Sequence, residues 1–242
     1  MRTARYPVDM VFSIMGILGV TLDTSKFAHD DRQGATVALM QALMSKDGGS
    51  GQAEWLGIAP GVLPNPAIST LPVFPHTSPN GRALIETAEK QEEASGAISS
   101  WWQIENTPTG GVDDDGRLLF KAKSAYIAPV SGVSEKGKQG QEAGRGSGTF
   151  ESVLGGTWTV CSQESPRLGY RAVHAGKRAL SRNGAFPVLI DPTSEMLLLL
   201  EDHGDGTSHV VGYSFVSPEV IQEREWSEAE LKVGEIRDKS AV

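Results

Sequence analysis

Cys161 and His209 are the residue types a thiol hydrolase requires, in an order one class of thiol amidases uses: cysteine first, then a histidine borne on a strand. The thiolate is the nucleophile, so an imidazole must stand close enough to take its proton. In such enzymes the cysteine usually opens a helix, whose terminal amides favour the thiolate. Here Trp158-Thr159-Val160-Cys161 reads as a strand running into the polar loop Ser162 to Pro166. The expectation is therefore a packed structural cysteine with no catalytic role, and the Cys161–His209 dyad is the alternative.

Glu201, Asp202, His203, Asp205 and His209 gather oxygen and nitrogen donors in one short stretch, a set suited to a divalent cation. The spacing fits no EF-hand, because Gly212-Tyr213 stands where the loop's last glutamate belongs. Turn chemistry alone accounts for the same residues. No metal or other cofactor is expected, and Glu201, Asp202, His203 and Asp205 are kept as the alternative ligand set. Asp113-Asp114-Asp115-Gly116 reads as a charged turn before a strand. Gly144-Arg145-Gly146-Ser147-Gly148, with Lys136 and Lys138 upstream, has amides that could wrap a phosphate. A phosphate loop needs a strand before it, a helix after it and a lysine in register, and none of these is clear. A long flexible loop over 131–148 is the expectation.

The histidines and acids sit within residues 185–217, which read as a buried antiparallel sheet. Val188 to Ile190 is a short apolar run that Asp191-Pro192 ends, since proline cannot donate to a ladder. Met196 to Leu200 is a second run and Val210 to Val216 a third. Asp205-Gly206 between these two is a hairpin signal. Of Leu198 and Leu199, one is expected to face inward and the other outward.

Upstream, Met10 to Val20 is apolar on every face, so a buried strand or helix is expected. Asp9 at its mouth and the lack of a small-residue cleavage site argue against a secretory signal, and the run is short for a membrane span. Gln33 to Met44 has helical spacing, closed by Lys46 and a glycine cluster. Residues 55–79 form a proline-rich extended arm whose apolar side chains must lie on this protein's own sheet or on a neighbour. Arg82 to Ala94 reads as a polar helix, Trp101 to Ile104 as a strand, and Arg117 to Val130 as an alternating, half-buried strand. Tyr170 to Ser181 suggests a short basic helix. Ser217-Pro218-Glu219 and Ser227-Glu228-Ala229-Glu230 look like two helix starts.

Together these give a single α+β domain over 1–242: a mainly antiparallel sheet or barrel over about 101–216, with N-terminal and C-terminal helices packed on it. The net charge of −8 and pI near 5.2 oppose a main role in holding a phosphate backbone. One cysteine rules out an internal disulfide and a cysteine-clustered zinc site, and suits the cytoplasm or a particle assembled there. The functional expectation is a non-enzymatic structural or assembly subunit of a larger homo-oligomer or multi-subunit complex, for example a virion or tail-type component, with no membrane contact. Pro60, Leu63, Ile68, Val73 and Phe74 of the arm and Lys136, Lys138 and Arg145 of the loop are the expected partner contacts. The alternatives are a small thiol hydrolase, and a nucleoprotein subunit using the basic segment 167–182 together with Lys136, Lys138 and Arg145.

Overall fold

The computed structural model describes residues 5–46, 63–71, 73–74, 76–77, 83–86, 91–93, 103–130, 148–161, 169–179, 194–222 and 224–234. In chain order the elements are α1 (Asp9–Leu18), α2 (Arg32–Lys46), β1 (His76–Thr77), β2 (Ala83–Glu86), β3 (Gln91–Glu93), β4 (Gln103–Glu105), β5 (Gly110–Val112), β6 (Leu118–Pro129), β7 (Thr149–Glu151), β8 (Thr157–Val160), β9 (Tyr170–Ala179), β10 (Glu195–Asp202), β11 (Ser208–Val216), α3 (Pro218–Gln222) and β12 (Ser227–Val233), with a 3-10 turn at Thr24–Lys26.

Strands β1 to β3 make a small antiparallel sheet. The main sheet runs β4-β9-β10-β11-β12-β6-β8-β7, with β5 beside β6, and β6 also pairs with β9. All its pairs are antiparallel except β11 with β12, which share a single parallel bridge, Ser208 opposite Val233. The sheet is therefore mixed, and that thin seam leaves it short of a closed barrel.

Two strands explain the core. Met196, Leu197, Leu198, Leu199 and Leu200 of β10 are each 0% exposed. A strand buried on one face alternates, whereas an unbroken apolar run needs cover on both faces. Met196, Leu198 and Leu200 meet Leu118, Phe120, Val210, Leu231 and Val233 on one side. Leu197 and Leu199 meet Ile127, Phe150, Val160 and Val216 on the other. The expectation that one of Leu198 and Leu199 faces outward is corrected accordingly. β6 alternates cleanly until Ser124 and Ala125, which are both buried. There it leaves the first core, where Phe120 and Ala122 sit, and enters the second with Ala125 and Ile127.

Helix α1 packs on α2 through Val8, Val11, Ala35 and Leu39. Helix α2 reaches the main core with Met44 and covers the arm with Val37 and Met40. Gly19 ends α1 in the left-handed conformation at φ 66°, which glycine adopts without strain. The run from Met10 to Val20 is not buried all round: Ile14 is 42% exposed.

Three expected helices are strands. Arg82 to Ala94 holds β2 and β3, because its thin apolar side gives a helix little to bury while Leu84 and Ile85 suit a short strand. Tyr170 to Ser181 holds β9, whose small residues Ala172, Val173 and Ala175 are buried between β10 and β6. Ser227 opens β12 rather than a helix. There the capping-box spacing coincides with a period of two that puts Glu228 and Glu230 outside and Leu231 and Val233 inside, with Glu230 opposite Lys121. The main sheet thus extends past 216 to Val233. Val188 to Ile190 and the loop 131–147 lie outside the described residues.

Candidate functional site

The β10–β11 hairpin places the polar cluster. Its ladder runs from Glu195 opposite Val216 to Asp202 opposite Ser208, leaving residues 203–207 as the turn. Gly204 and Gly206 carry positive φ, 81° and 83°, as the Asp202-His203-Gly204-Asp205-Gly206 order favours. The Asp202 carboxylate accepts from the Gly204 amide at 2.8 Å, and Asp205 accepts from the Thr207 amide at 3.0 Å.

Within this turn the side chains form a continuous polar chain. Asp205 Oδ1 accepts from the Thr207 hydroxyl at 2.6 Å. Thr207 Oγ1 is 3.0 Å from His203 Nδ1, and His203 Nε2 is 2.8 Å from His209 Nδ1. The ring centroids are 5.1 Å apart with an interplanar angle of 29°, so the imidazoles meet edge to edge through their nitrogens rather than face to face. His209 Nε2 in turn lies 3.9 Å from Glu201 Oε2, and both residues are buried. A hydroxyl beside an imidazole backed by a carboxylate has the parts of a nucleophile relay. Here the Thr207 hydroxyl hydrogen is committed to Asp205, so His203 faces its lone pair and does not activate it.

Beside the turn, Asp202 Oδ2 accepts from Arg171 Nε at 3.3 Å, while Arg171 Nη2 donates to the Tyr126 hydroxyl at 2.5 Å. The guanidinium carbon is 4.3 Å from the Tyr126 ring centroid. At the other end of β10, His174 Nε2 is 2.7 Å from Glu195 Oε2. The sequence reading missed this pair because it placed His174 on a helix. A strand there would have put His174 beside β10.

Cys161 follows β8, half-buried, with its thiol 3.9 Å from the Thr159 carbonyl and its amide bonded to the Tyr126 carbonyl. The structure engages Cys161 with β6 and β8, and His209 with His203 and Glu201. Of the alternative metal set, Asp202 holds Arg171, Asp205 holds Thr207, and His203 holds Thr207 and His209. Among the described residues no three His, Cys, Asp or Glu side chains are grouped so as to hold a metal ion. In the turn ahead of β6, Asp113 Oδ1 accepts from the Asp115 and Arg117 amides.

The described part of the arm lies on the chain itself. Ile68 and Leu71 are buried against Val37 and Met40, and the Val73 amide donates to the Leu63 carbonyl at 2.8 Å. Phe74 carries the Arg32 guanidinium carbon 4.1 Å above its ring, and partial burial holds that guanidinium's pKa below its ordinary value. Pro60, Lys136, Lys138 and Arg145 lie outside the described residues. Among the described residues no helix is long and apolar enough to cross a membrane. Comparison with known proteins returned no match to a family model, to a curated protein or to a solved structure.

Proposed function

We propose that this chain is a non-enzymatic structural subunit that assembles with further copies of itself, a virion or tail-type particle being one such setting. The observation that supports this reading is helix α1. Val11 is buried and Phe12 and Met15 pack partly buried against the α1–α2 cluster, while Ile14 stands 42% exposed and Ser13 and Gly16 are exposed as well. A large apolar side chain left in water on an otherwise packed helix suits contact with a second chain. Asp9 is the helix's one charged residue, and its carboxylate accepts from the Tyr6 amide. With Asp9 so engaged, the exposed surface around Ile14 offers no charge for an oppositely charged partner to read, which favours an identical surface across a two-fold axis as its partner.

Light scattering at low and high salt tests the proposal. Self-association should give a multiple of 25.8 kDa. It should tighten as salt screens the repulsion between chains of charge −8. Contact with nucleic acid would instead weaken with salt. Ile14→Glu should return the mass to that of one chain. A wild-type chain that stays monomeric at every concentration overturns the reading.

A further inference from the structure

We infer that the outer edge of β12 takes an extended strand of a partner protein, one whose residues alternate between cationic and apolar. This goes beyond self-assembly through α1 and uses a different surface.

The edge follows from register. β12 pairs with β6 along its whole length, Ser227 to Val233. On its other side it meets β11 only where Val233 bridges Ser208. The two strands run parallel, so the residues before Val233 extend past the start of β11. Gly206 of the hairpin turn stands beside Glu230, Leu231 and Lys232 across an open groove of about 430 Å³. The Gly234 amide donates to the Ser208 carbonyl at 3.0 Å, so it points to the β11 side. Backbone groups alternate sides along a strand, and the amides and carbonyls of Glu230 and Glu228 therefore point the same way. Among the described residues no backbone group pairs with them there. An edge of this kind is completed by one more strand.

Charge identifies the occupant. Glu228 and Glu230 are both exposed, whereas Ala229 between them packs partly buried on the first core. Lys121 reaches Glu228 at 3.8 Å and Asp113 holds Lys232 at 3.2 Å, which leaves Glu230 without an ion pair among the described residues. A strand laid here sets two residues opposite the glutamates and the one between them opposite Ala229. Cation, apolar, cation is the matching order. A second copy of β12 does not match. Antiparallel pairing about Ala229 puts Glu228 opposite Glu230, and pairing about Glu230 sets that residue against its own copy. Registers nearer Val233 run into the hairpin turn.

The probe is an end-capped peptide alternating lysine and valine, seven residues long like β12, titrated onto the full chain. Binding should slow hydrogen exchange at the Glu228 and Glu230 amides at least about tenfold and should weaken as salt is added. Glu228→Lys combined with Glu230→Lys, both exposed, should weaken binding at least about tenfold, and a glutamate–valine peptide should bind that variant instead. Two N-methylated forms of the lysine peptide, one blocked at every lysine and one at every valine, keep its charge. One of them should lose binding, because only one set of amides faces β12. Equal binding by both forms, or unchanged exchange at Glu228 and Glu230, would overturn the inference. So would slowing of those two amides in the chain alone as its concentration rises, which would make a second copy the occupant.

Discussion

The Ser69 hydroxyl accepts a hydrogen bond from the amide of Val210 at 3.0 Å, joining residues 141 positions apart. It donates to the Gly234 carbonyl, which also accepts from the Ser69 amide at 3.0 Å. β11 and β12 have one bridge between them, so a side chain from the arm completes the seam where the ladder stops. Ser69→Ala would strand a buried amide, which costs about 1–3 kcal/mol. Ser45 offers the control: its hydroxyl bonds the Gln41 carbonyl at 2.7 Å on an exposed face, where water substitutes. Ser45→Ala should change stability by no more than about 0.5 kcal/mol. Urea midpoints of the two variants decide, and equal midpoints would show that Ser69 does not hold the seam.

β10 is covered on both faces, so Leu198→Ala and Leu199→Ala should each cost about 2–5 kcal/mol, through cavities in different cores. Leu119, 40% exposed on β6, should lose well under ~1 kcal/mol as Leu119→Ala. A large loss at only one of the two leucines would contradict the two-core arrangement.

Periodicity made β6 and α2 legible, and apolar runs marked β10 and β11 as strands without showing that β10 is covered on both faces. β9 and β12 were not legible. Arg171, His174 and Lys177 fall three apart and Ser227 to Glu230 spells a capping box, so local signals pointed to helices while long-range pairing made strands. The residues of the turn were visible as donors. Their order was not, since the His203–His209 contact depends on hairpin register and on which atom takes the Thr207 hydrogen. Ser69 gave no signal at all, because its partners are fixed only by the completed fold.

Gly116 stands in the turn before β6 at φ 81°, where an added Cβ would lie 2.8 Å from Val37 Cγ2 and 2.9 Å from Ile68 Cδ1. Gly116→Ala meets both left-handed strain and a clash between α2 and the arm, and should cost more than about 1 kcal/mol. Gly111 in β5 has open space and no positive φ, so Gly111→Ala should be neutral or stabilising by up to ~1 kcal/mol. Thermal melts of the two variants should move in different directions or by clearly different amounts.

Cys161 bears on the thiol-hydrolase alternative. With its thiol toward the Thr159 carbonyl and His209 held by His203, labelling by iodoacetamide at neutral pH should be slow and unchanged in His209→Gln. Rapid stoichiometric labelling that His209→Gln abolishes would restore the dyad as a nucleophile.

Tyr213 lies opposite Leu198 on β11 within the first core, and burial pushes its phenol pKa above the ordinary value. In the unfolded chain a tyrosine releases its proton near pH ~10, whereas the folded chain retains it there. Below that pH both states are protonated, and the residue adds no pH dependence. Above it the unfolded state binds fewer protons than the folded one, so stability falls as pH rises until the folded phenol also ionises. Tyr213→Phe removes this contribution. Urea midpoints followed upward through pH ~10 should therefore decline more steeply in wild type than in Tyr213→Phe. Equal slopes would mean that Tyr213 releases its proton without unfolding, and that the core around Leu198 admits water.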